Sequence, residues 1–319
     1  MADQPLELTG KGSRADAAFR YGAIAAAGAV LVVLALIALT MTNRSRDVLG
    51  QMGLSFFTSR RWSEADDLYG ALPFLWGTVY TAVIAVTLAV PVSLGVALFI
   101  TEVAPPRVKR PMVYVLDLLA VVPSVVFGLW GVMVLSGPIR GVYETLHGLL
   151  GWMPLVGEIF GPNAQGRSFM TAGIILAIMI TPIITSLSRE VLETTPPGEK
   201  EAALALGATR WEMIRASVLP HSKGGLVGAV MLGLGRAMGE TIAAALVIGS
   251  ALGQTSVNVF SSGNSMPAVI ANEWGEASEL HKSALIALAM TLFLITIAVN
   301  LAADAVVRRS MRRSRGARA

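Results

Sequence analysis

The sequence predicts an all-α membrane protein with six transmembrane helices, and three observations support this fold class. Hydrophobic residues occupy 54% of the 319 positions and charged residues only 14%, whereas soluble domains carry about 25% charged residues. The apolar residues form continuous runs, which favours helices over a closed barrel, the other structure that satisfies the backbone in lipid. A helix needs roughly 20 residues to cross the bilayer core. Six runs are long enough: 21–42, 73–101, 112–136, 169–188, 224–252 and 284–307.

The first run is expected to be a retained membrane anchor. It is too long for the apolar core of a signal peptide, and Thr42, Asn43 and Arg44 offer no small-residue cleavage site. The domain organisation that follows is a cytoplasmic tail at 1–20, the anchor with an external loop at 21–72, a transmembrane domain at 73–307 and a basic cytoplasmic tail at 308–319.

The distribution of Lys and Arg predicts that both termini lie in the cytoplasm. Six spans place the termini on one side of the membrane, and cytoplasmic segments carry the excess of basic residues. Of the 25 Lys and Arg residues, Arg236 falls inside a span and most of the others fall in the inner segments. The outer segments contain Arg44, Arg46, Arg60, Arg61, Arg140, Arg167 and Lys282.

The outer segments predict different local structures. Aromatic residues in 43–72 indicate either a helix lying on the membrane surface or a simple aromatic belt. The stretch 137–167 is rich in Gly and Pro, and we expect it to re-enter the membrane in part or to form a lid. A short helix is expected from Ala268 to Glu279 in the last outer loop.

Several kinds of chemistry are excluded or disfavoured by the composition. The absence of Cys excludes disulfides and thiolate metal sites, and the three His residues lack metal-ligand spacing. The sequence has no P-loop motif, so we expect neither a bound ATP cofactor nor enzymatic activity in this chain. The Arg-rich C-terminal tail is expected to meet anionic lipid, and no nucleic-acid partner is predicted.

The polar segment 191–222 is predicted to be a folded cytoplasmic loop. Pro196 and Pro197 begin it, and Pro is favoured in the first turn of a helix. Strong helix formers follow, and Gly207 then stands where a helix commonly ends in a left-handed residue.

A second helix is expected to begin at Thr209 and to end before Pro220. Its apolar residues Trp211, Met213 and Ile214 are candidate anchors for a docking partner. A helix pair joined by Gly on the cytoplasmic side of a membrane domain indicates a docking element. The alternative is an amphipathic helix pair that lies on lipid.

This loop resembles the EAA motif of importer-type ABC transporter permeases, Glu-Ala-Ala-x3-Gly-x9-Ile-x-Leu-Pro. Ser217 stands where the family pattern has Ile, so one contact of the docking surface is expected to differ. The resemblance implies the type I permease fold of ABC importers, with a cytoplasmic coupling-helix loop that contacts an ATPase. The implied coupling residues are Glu201, Ala202, Ala203, Gly207, Trp211, Leu219 and Pro220.

Arg236 and Glu240 are the charged residues inside the predicted fifth span. Their spacing of four would place them on one face of a helix, and their cost in lipid would turn that face to the bundle interior or to an aqueous path. The functional interpretation is that the Arg236 guanidinium meets an oxyanion, with Glu240 tuning it. The alternative is a structural ion pair. Nearby Gly233, Gly235 and Gly239 are expected to let neighbouring helices approach closely.

The stretch 235–241, Gly-Arg-Ala-Met-Gly-Glu-Thr, is similar to the permeases of phosphate ABC importers. The stretch 266–274, Met-Pro-Ala-Val-Ile-Ala-Asn-Glu-Trp, resembles the PstC-type subunit in particular. Related sulfate and molybdate permeases tend to carry an aromatic residue where this chain has Thr241. The resemblance implies that Arg236, Glu240 and Thr241 belong to a phosphate pathway.

The same resemblance implies a complex. Its other members would be a second permease of the PstA type, two ATPase subunits of the PstB type that bind ATP and Mg, and an external phosphate-binding protein of the PstS type. Membrane lipid would surround the permeases in the bacterial inner membrane.

Three other functions are weighed against phosphate import. A permease for sulfate, molybdate or tungstate would share the fold. An ion-coupled secondary transporter would use Arg236 and Glu240 as a coupling pair, although no inverted repeat is found. A membrane-embedded enzyme is disfavoured because no nucleophile and base are paired in the sequence.

Overall fold

The computed structural model describes residues 14–154, 156–162 and 164–316, which form helices, loops and one two-stranded antiparallel hairpin. π-Helical stretches occur at Phe99–Val103, Gly131–Leu135 and Ile214–Val218. In chain order the elements are α1 Arg14–Arg44, α2 Arg46–Met52, α3 Ser55–Thr58, β1 Trp62–Ser63, β2 Leu68–Tyr69, α4 Leu72–Leu98, α5 Pro106–Val121, α6 Ser124–Trp130, α7 Ser136–Leu150, α8 Val156–Ile159, α9 Phe169–Glu193, α10 Pro197–Ala205, α11 Arg210–Met213, α12 Leu219–Gly239, α13 Ile242–Val247, α14 Met266–Glu273 and α15 Glu279–Gly316.

Within the described residues, five helical segments are long and apolar enough to cross a membrane, so the protein is a multi-pass membrane protein. These segments are Asp16–Arg44, Leu72–Val103, Ser124–Leu150, Phe169–Glu193 and Glu279–Ala302. The predicted continuous helix over 224–252 is not formed, because α12 ends at Gly239. The count of six spans therefore stays a prediction.

The predicted third run, 112–136, is divided at Pro123. Val122 and Pro123 have extended backbone, with ψ of 126° and 137°, because a Pro ring disfavours helical geometry in the residue before it. The helix that starts at Ser124 then continues to Leu150. Residues 137–150, predicted to belong to an outer re-entrant stretch or lid, are therefore mostly part of a long helix.

Helices α4 and α9 form the centre of the bundle. Gly173 of α9 lies so close to α4 that an added Cβ would come within 2.3 Å of Ile84 Cγ2, and small residues permit such close packing of membrane helices. In the most apolar window of α9, 61% of the residues are buried, compared with 0% in α1. The anchor α1 therefore lies at the periphery, where it contacts α15.

The outer segment 43–72 forms a folded cap. Phe56, Trp62 and Tyr69 are buried together, and the Trp62 ring meets those of Tyr69 and Phe74 edge-on, with centroids 5.1 and 4.9 Å apart. The two predictions for this segment did not include this small aromatic core, and contact of the segment with the membrane surface stays a prediction. The short helix of the last outer loop does form, as α14, but it begins at Met266 and ends at Glu273.

Polar contacts fasten the cap to the last outer loop. The indole Nε1–H of Trp62 donates to Glu273 Oε2 at 2.8 Å, and His281 Nε2 lies 2.9 Å from the same oxygen. Glu64 Oε1 accepts the backbone N–H of Ser278 at 3.1 Å. Hydrogen bonds from Ser278, reinforced by His281, hold the pKa of Glu64 below its usual value of 4.5.

The predicted N- and C-terminal tails, 1–20 and 308–319, lie only partly within the described residues. Residues 1–13 lie outside the described residues, and α1 already begins at Arg14. At the other end, α15 continues through most of 308–319 as far as Gly316. The domain boundaries stay predictions.

Candidate functional site

The coupling loop, residues 191–222, forms the two helices that the sequence predicts. Pro196 precedes α10 and Pro197 opens it. Gly207 has a φ of +86°, a left-handed conformation that only glycine adopts at little cost. An added Cβ at Gly207 would meet nothing within 4 Å. The glycine is therefore required for the turn between α10 and α11 and not for close packing.

A reciprocal pair of side chains caps the second helix. Glu212 Oε2 accepts hydrogen bonds from the Thr209 backbone N–H and hydroxyl, both at 2.8 Å, while the Thr209 Oγ1 accepts the Glu212 N–H at 3.4 Å. This is a capping box. The two bonds from Thr209 lower the pKa of the Glu212 carboxyl from 4.5. The Thr-x-x-Glu spacing was readable in the sequence, although it was not part of the prediction.

Exposed apolar side chains lie on the outer surface of the two helices. Leu204, Leu206 and Trp211 are 45%, 89% and 61% exposed, and polar or small residues of the EAA match accompany them. Single exposed apolar residues are ordinary, but a group of large ones on a short loop marks an interaction surface. The exposed residues of the predicted coupling set are Glu201, Ala202, Gly207, Trp211 and Pro220, whereas Ala203 and Leu219 are half-buried.

Two of the predicted docking anchors face inward. Met213 and Ile214 are 5% and 6% exposed and pack with Leu192, Val218 and neighbouring residues. They therefore attach the loop to its own membrane domain. Ser217 is also buried, and its hydroxyl donates to Glu199 Oε2 at 3.4 Å. The expected change of docking surface at Ser217 was thus wrong, because the side chain lies inside the loop.

An ion pair that the sequence did not reveal ties α10 to the end of α4. Lys200 Nζ lies 2.6 Å from Glu102 Oε1, and the Glu102 side chain is only 6% exposed. The two residues lie 98 positions apart, so no local pattern indicates the contact. The pair anchors the first coupling helix to a membrane-spanning helix.

The second coupling helix does not end before Pro220, as the sequence predicted. It passes from α11 through the π-helical stretch Ile214–Val218 directly into α12, which contains Pro220 in its first turn. A Pro inside a helix clashes with the carbonyl four residues earlier and lacks an N–H. The wider π-helical turn relieves this conflict. The loop and α12 therefore form one continuous helical path.

Arg236 lies on the exposed stripe of α12. This stripe, defined by its open positions, consists of His221, Gly225, Gly228, Leu232, Arg236 and Gly239. The spacing of three and four residues places them on one face. Among the described residues, no carboxylate lies within 4.0 Å of Arg236. A charged side chain on an uncovered face of a membrane helix requires an aqueous path or a partner.

Glu240 does not share a helix face with Arg236. α12 ends at Gly239, and Glu240 has extended backbone with φ −70° and ψ 124°. Its Oε1 accepts the N–H of Ala243 at 3.2 Å, so it caps α13. The prediction that Arg236 and Glu240 share one helix face was wrong, because the helix ends between the two residues. The structural ion pair is likewise not formed in the described chain.

The neighbouring residues divide between packing and open surface. Gly233 is packed, because an added Cβ would come within 2.6 Å of Ile184 on α9, whereas Gly235 and Gly239 have nothing within 4 Å. Thr241 is half-buried, and its hydroxyl donates to the Gly239 carbonyl at 3.3 Å. Extended backbone at membrane depth is tolerated where it is buried in protein or lines water. Thr241 and Glu240 lie at that break.

Comparison with known families identifies the group of proteins to which this architecture belongs. Residues 89–312 match the model of the binding-protein-dependent transport system inner membrane component. The chain belongs to this family. The match includes the coupling loop and the α12 stripe and leaves the anchor and the external cap outside it.

Similar proteins can be aligned with most of the chain. The chain is 42% identical over 303 residues to the phosphate transport system permease protein PstC of Xylella fastidiosa, covering 94% of this chain and 93% of the relative. It is 40% identical to the phosphate transport system permease protein PstC 2 of Mycobacterium tuberculosis, covering 92% of both. The PstC of Haemophilus influenzae is 41% identical, over 85% of this chain and 86% of its own.

Solved structures with low sequence identity share the fold. The inward-facing MetNI methionine ABC transporter has a chain that matches with a TM-score of 0.57 at 16% identity, covering 78% of this chain and 99% of the other. A bacterial alginate ABC transporter in complex with an alginate-bound periplasmic protein matches with a TM-score of 0.59 at 16% identity, over 92% and 96%. The fold is that of ABC importer permeases.

Proposed function

We propose that this chain is a permease subunit of an ATP-driven importer that moves inorganic phosphate across the bacterial inner membrane. The single observation that carries the substrate is the similarity of nearly the whole chain to relatives named as phosphate transport permeases. Arg236 supports it, because its exposed guanidinium has no carboxylate partner among the described residues and suits an oxyanion. We place both termini in the cytoplasm, as the basic residues predict.

In this function the partners supply the ATP chemistry. The proposed complex contains a PstA-type permease, two PstB-type ATPases that bind ATP and Mg, and a PstS-type phosphate-binding protein on the external side. The chain itself holds no cofactor and is not an enzyme. The ATPases would contact the exposed residues of the coupling loop, among them Leu206 and Trp211.

The coupling loop would act as a lever on the pathway. Closure of the ATPases would displace α10 and α11, and the continuous helix through Pro220 would carry that displacement along α12. From Trp211 to Arg236 the path is roughly 38 Å at 1.5 Å per residue. The break at Glu240 and Thr241 would then separate the moving α12 from α13, which packs against α6 and α9. Arg236 would meet phosphate on the α12 stripe.

The substrate is tested by reconstituting the complete complex in proteoliposomes. ATP hydrolysis and uptake are measured with phosphate, sulfate and molybdate. Each anion is tested in two arms, one without any external binding protein and one with the phosphate-binding protein. We expect stimulation by phosphate alone. Stimulation by sulfate or molybdate would assign another oxyanion, and uptake driven by an ion gradient without ATPases would favour a secondary transporter.

The lever is tested at Gly207. Gly207→Pro forces a negative φ where the turn needs +86°, so we expect ATP hydrolysis to continue while phosphate uptake is lost. The matched control is Gly198→Pro, because Gly198 lies in the first turn of α10, where Pro is tolerated. Normal uptake in Gly207→Pro would rule out the lever.

A further inference from the structure

A basic cavity lies at the inner ends of α4, α5 and α9, apart from both the coupling surface and the α12 stripe. Its volume is about 550 Å³. Lys109, Arg110 and Arg189 supply its charge, and Ile100, Val113 and Tyr114 supply apolar walls. A lining that is partly cationic and partly apolar suits a ligand with a charged group next to an apolar one, as in the lipids at a membrane surface.

The described carboxylates neutralise the cations of this cavity only in part. Glu193 Oε1 lies 2.9 Å from Lys109 Nζ and 3.9 Å from Arg189 Nη1, so one carboxylate serves two cations. Glu102, which follows the cavity residue Thr101, is already bound to Lys200 at 2.6 Å. For Arg110 no carboxylate lies within 4.0 Å in the described chain. The cavity therefore carries a net positive charge.

Of the three cations, Arg189 gives the strongest indication of a bound anion. Its side chain is 19% exposed, and its carboxylate contact is the long one to Glu193. A guanidinium has five N–H donors and no acceptor. Among the described residues no hydrogen bond from the Arg189 side chain is formed. Its unused donors are suited to the oxygens of a phosphate group.

The surface beside the cavity is apolar. On α5, which has no buried residue, Tyr114, Val115 and Leu118 are 68%, 55% and 71% exposed. Tyr is typical of headgroup depth in a membrane. Acyl chains can lie along this surface while a phosphate occupies the basic cavity.

We propose that this cavity binds the phosphate group of an anionic phospholipid of the inner leaflet. Basic pockets between membrane helices on the cytoplasmic side bind such headgroups. Inorganic phosphate offers the same oxygens without the acyl chains, and the apolar wall favours the lipid. The assignment to the inner leaflet rests on the proposed orientation, whereas binding of the headgroup does not depend on which anion the permease transports.

The test counts the lipids that stay bound to the purified complex. Native mass spectrometry is recorded after incubation with phosphatidylglycerol or phosphatidylcholine, for the unaltered complex and for Arg189→Gln and Arg110→Gln. Arg107→Gln is the matched control, since Arg107 is an exposed residue of the same α5 turn that does not line the cavity. We expect each cavity variant to retain about five-fold less phosphatidylglycerol, the effect of roughly one basic side chain, with Arg107→Gln and phosphatidylcholine unchanged.

Two results would overturn the proposal. Equal retention of phosphatidylglycerol by all variants would show that the cavity does not hold the headgroup, and Arg110→Gln keeps this outcome informative because Arg110 is exposed and its loss leaves the fold intact. Displacement of the lipid by an excess of inorganic phosphate would assign the cavity to free phosphate. The same spectra report complex assembly, and uptake assays remain a separate measurement of the proposed transport function.

Discussion

The coupling loop and the α12 stripe show opposite arrangements of charge and apolar surface. In the coupling loop the cation Lys200 is paired at 2.6 Å with Glu102, whose side chain is only 6% exposed, and large apolar side chains such as Trp211 are open to solvent. On the stripe the cation Arg236 has no described partner, and its neighbours are mostly glycine. The first region is fastened to its neighbours by its charges, whereas the second leaves a cation open among the described residues. Under the proposed function, the first would transmit motion and the second would receive the anion.

The ion pair of the coupling loop gives the largest expected effect. Lys200→Ala leaves Glu102, 6% exposed, without its counter-charge, and breaking such a buried pair destabilises a protein by about 3 kcal/mol or more. Thermal unfolding of the complex should therefore begin at a lower temperature than for Lys223→Ala, a control at an exposed lysine of α12.

A double variant sharpens this prediction. Adding Glu102→Gln to Lys200→Ala removes the unpaired buried charge and should restore part of the lost stability. If Lys200→Ala and Lys223→Ala unfold alike, the pair does not fasten the loop.

The α12 stripe gives the next effect. Arg236→Ala should reduce phosphate uptake by about 10- to 100-fold, because hydrogen bonds to a charged group contribute roughly 1.5–3 kcal/mol. Complex assembly should be unaffected, since Arg236 has no described carboxylate partner. Arg61→Ala, an exposed arginine of the external cap, is the control in the same uptake assay. Loss of assembly together with uptake would make Arg236 a structural residue.

The capping box of α11 gives a smaller effect. Thr209→Ala removes the hydroxyl that accepts the Glu212 N–H, which should destabilise the helix by about 1 kcal/mol. Hydrogen exchange of the backbone N–H groups in 210–213 should become faster. Thr194→Ala is the control, because the Thr194 hydroxyl donates to the Val191 carbonyl at the end of α9 and does not cap α11. Unchanged exchange at 210–213 would mean that packing of Met213 alone holds the helix.

The external cap gives the smallest effect, and it depends on pH. The pKa of Glu64 is lowered below 4.5 in the folded protein, so its ionised form stabilises the cap above pH 4.5, and this contribution is lost as the pH falls through the lowered pKa. Glu64→Gln should therefore lower the unfolding temperature at pH 7 and should match the unaltered protein in stronger acid. Glu276→Gln serves as the control on the same outer loop. A difference between Glu64→Gln and the unaltered protein that persists in acid would contradict this linkage.

Features of the coupling loop and the α12 stripe could be predicted where neighbouring residues determine them, and could not be predicted where distant residues do. Pro197, Gly207 and Thr209 act on the backbone within a few residues, and the helix start, turn and second start were found where these residues stand. At Pro220 the predicted helix end was wrong, because the π-helical stretch before it lets the helix continue through the Pro. The break at Glu240 was missed because the apolar run continues past Gly239, although Gly is itself a signal for a helix end; beyond the break, α13 packs against α6 and α9.

The sequence by itself determined the class of the molecule: its apolar runs are long enough to cross a bilayer, and the segment 191–222 carries the local signals of two short helices. Hydrophobicity and capping are properties of neighbouring residues, and they can therefore be read along the chain. Only the tertiary structure decided which charges are paired, since Lys200 meets Glu102 from 98 positions away, and that Arg236 and Glu240 do not face each other. Ion pairs and exposed faces depend on where separate helices pack, and no local pattern carries that information.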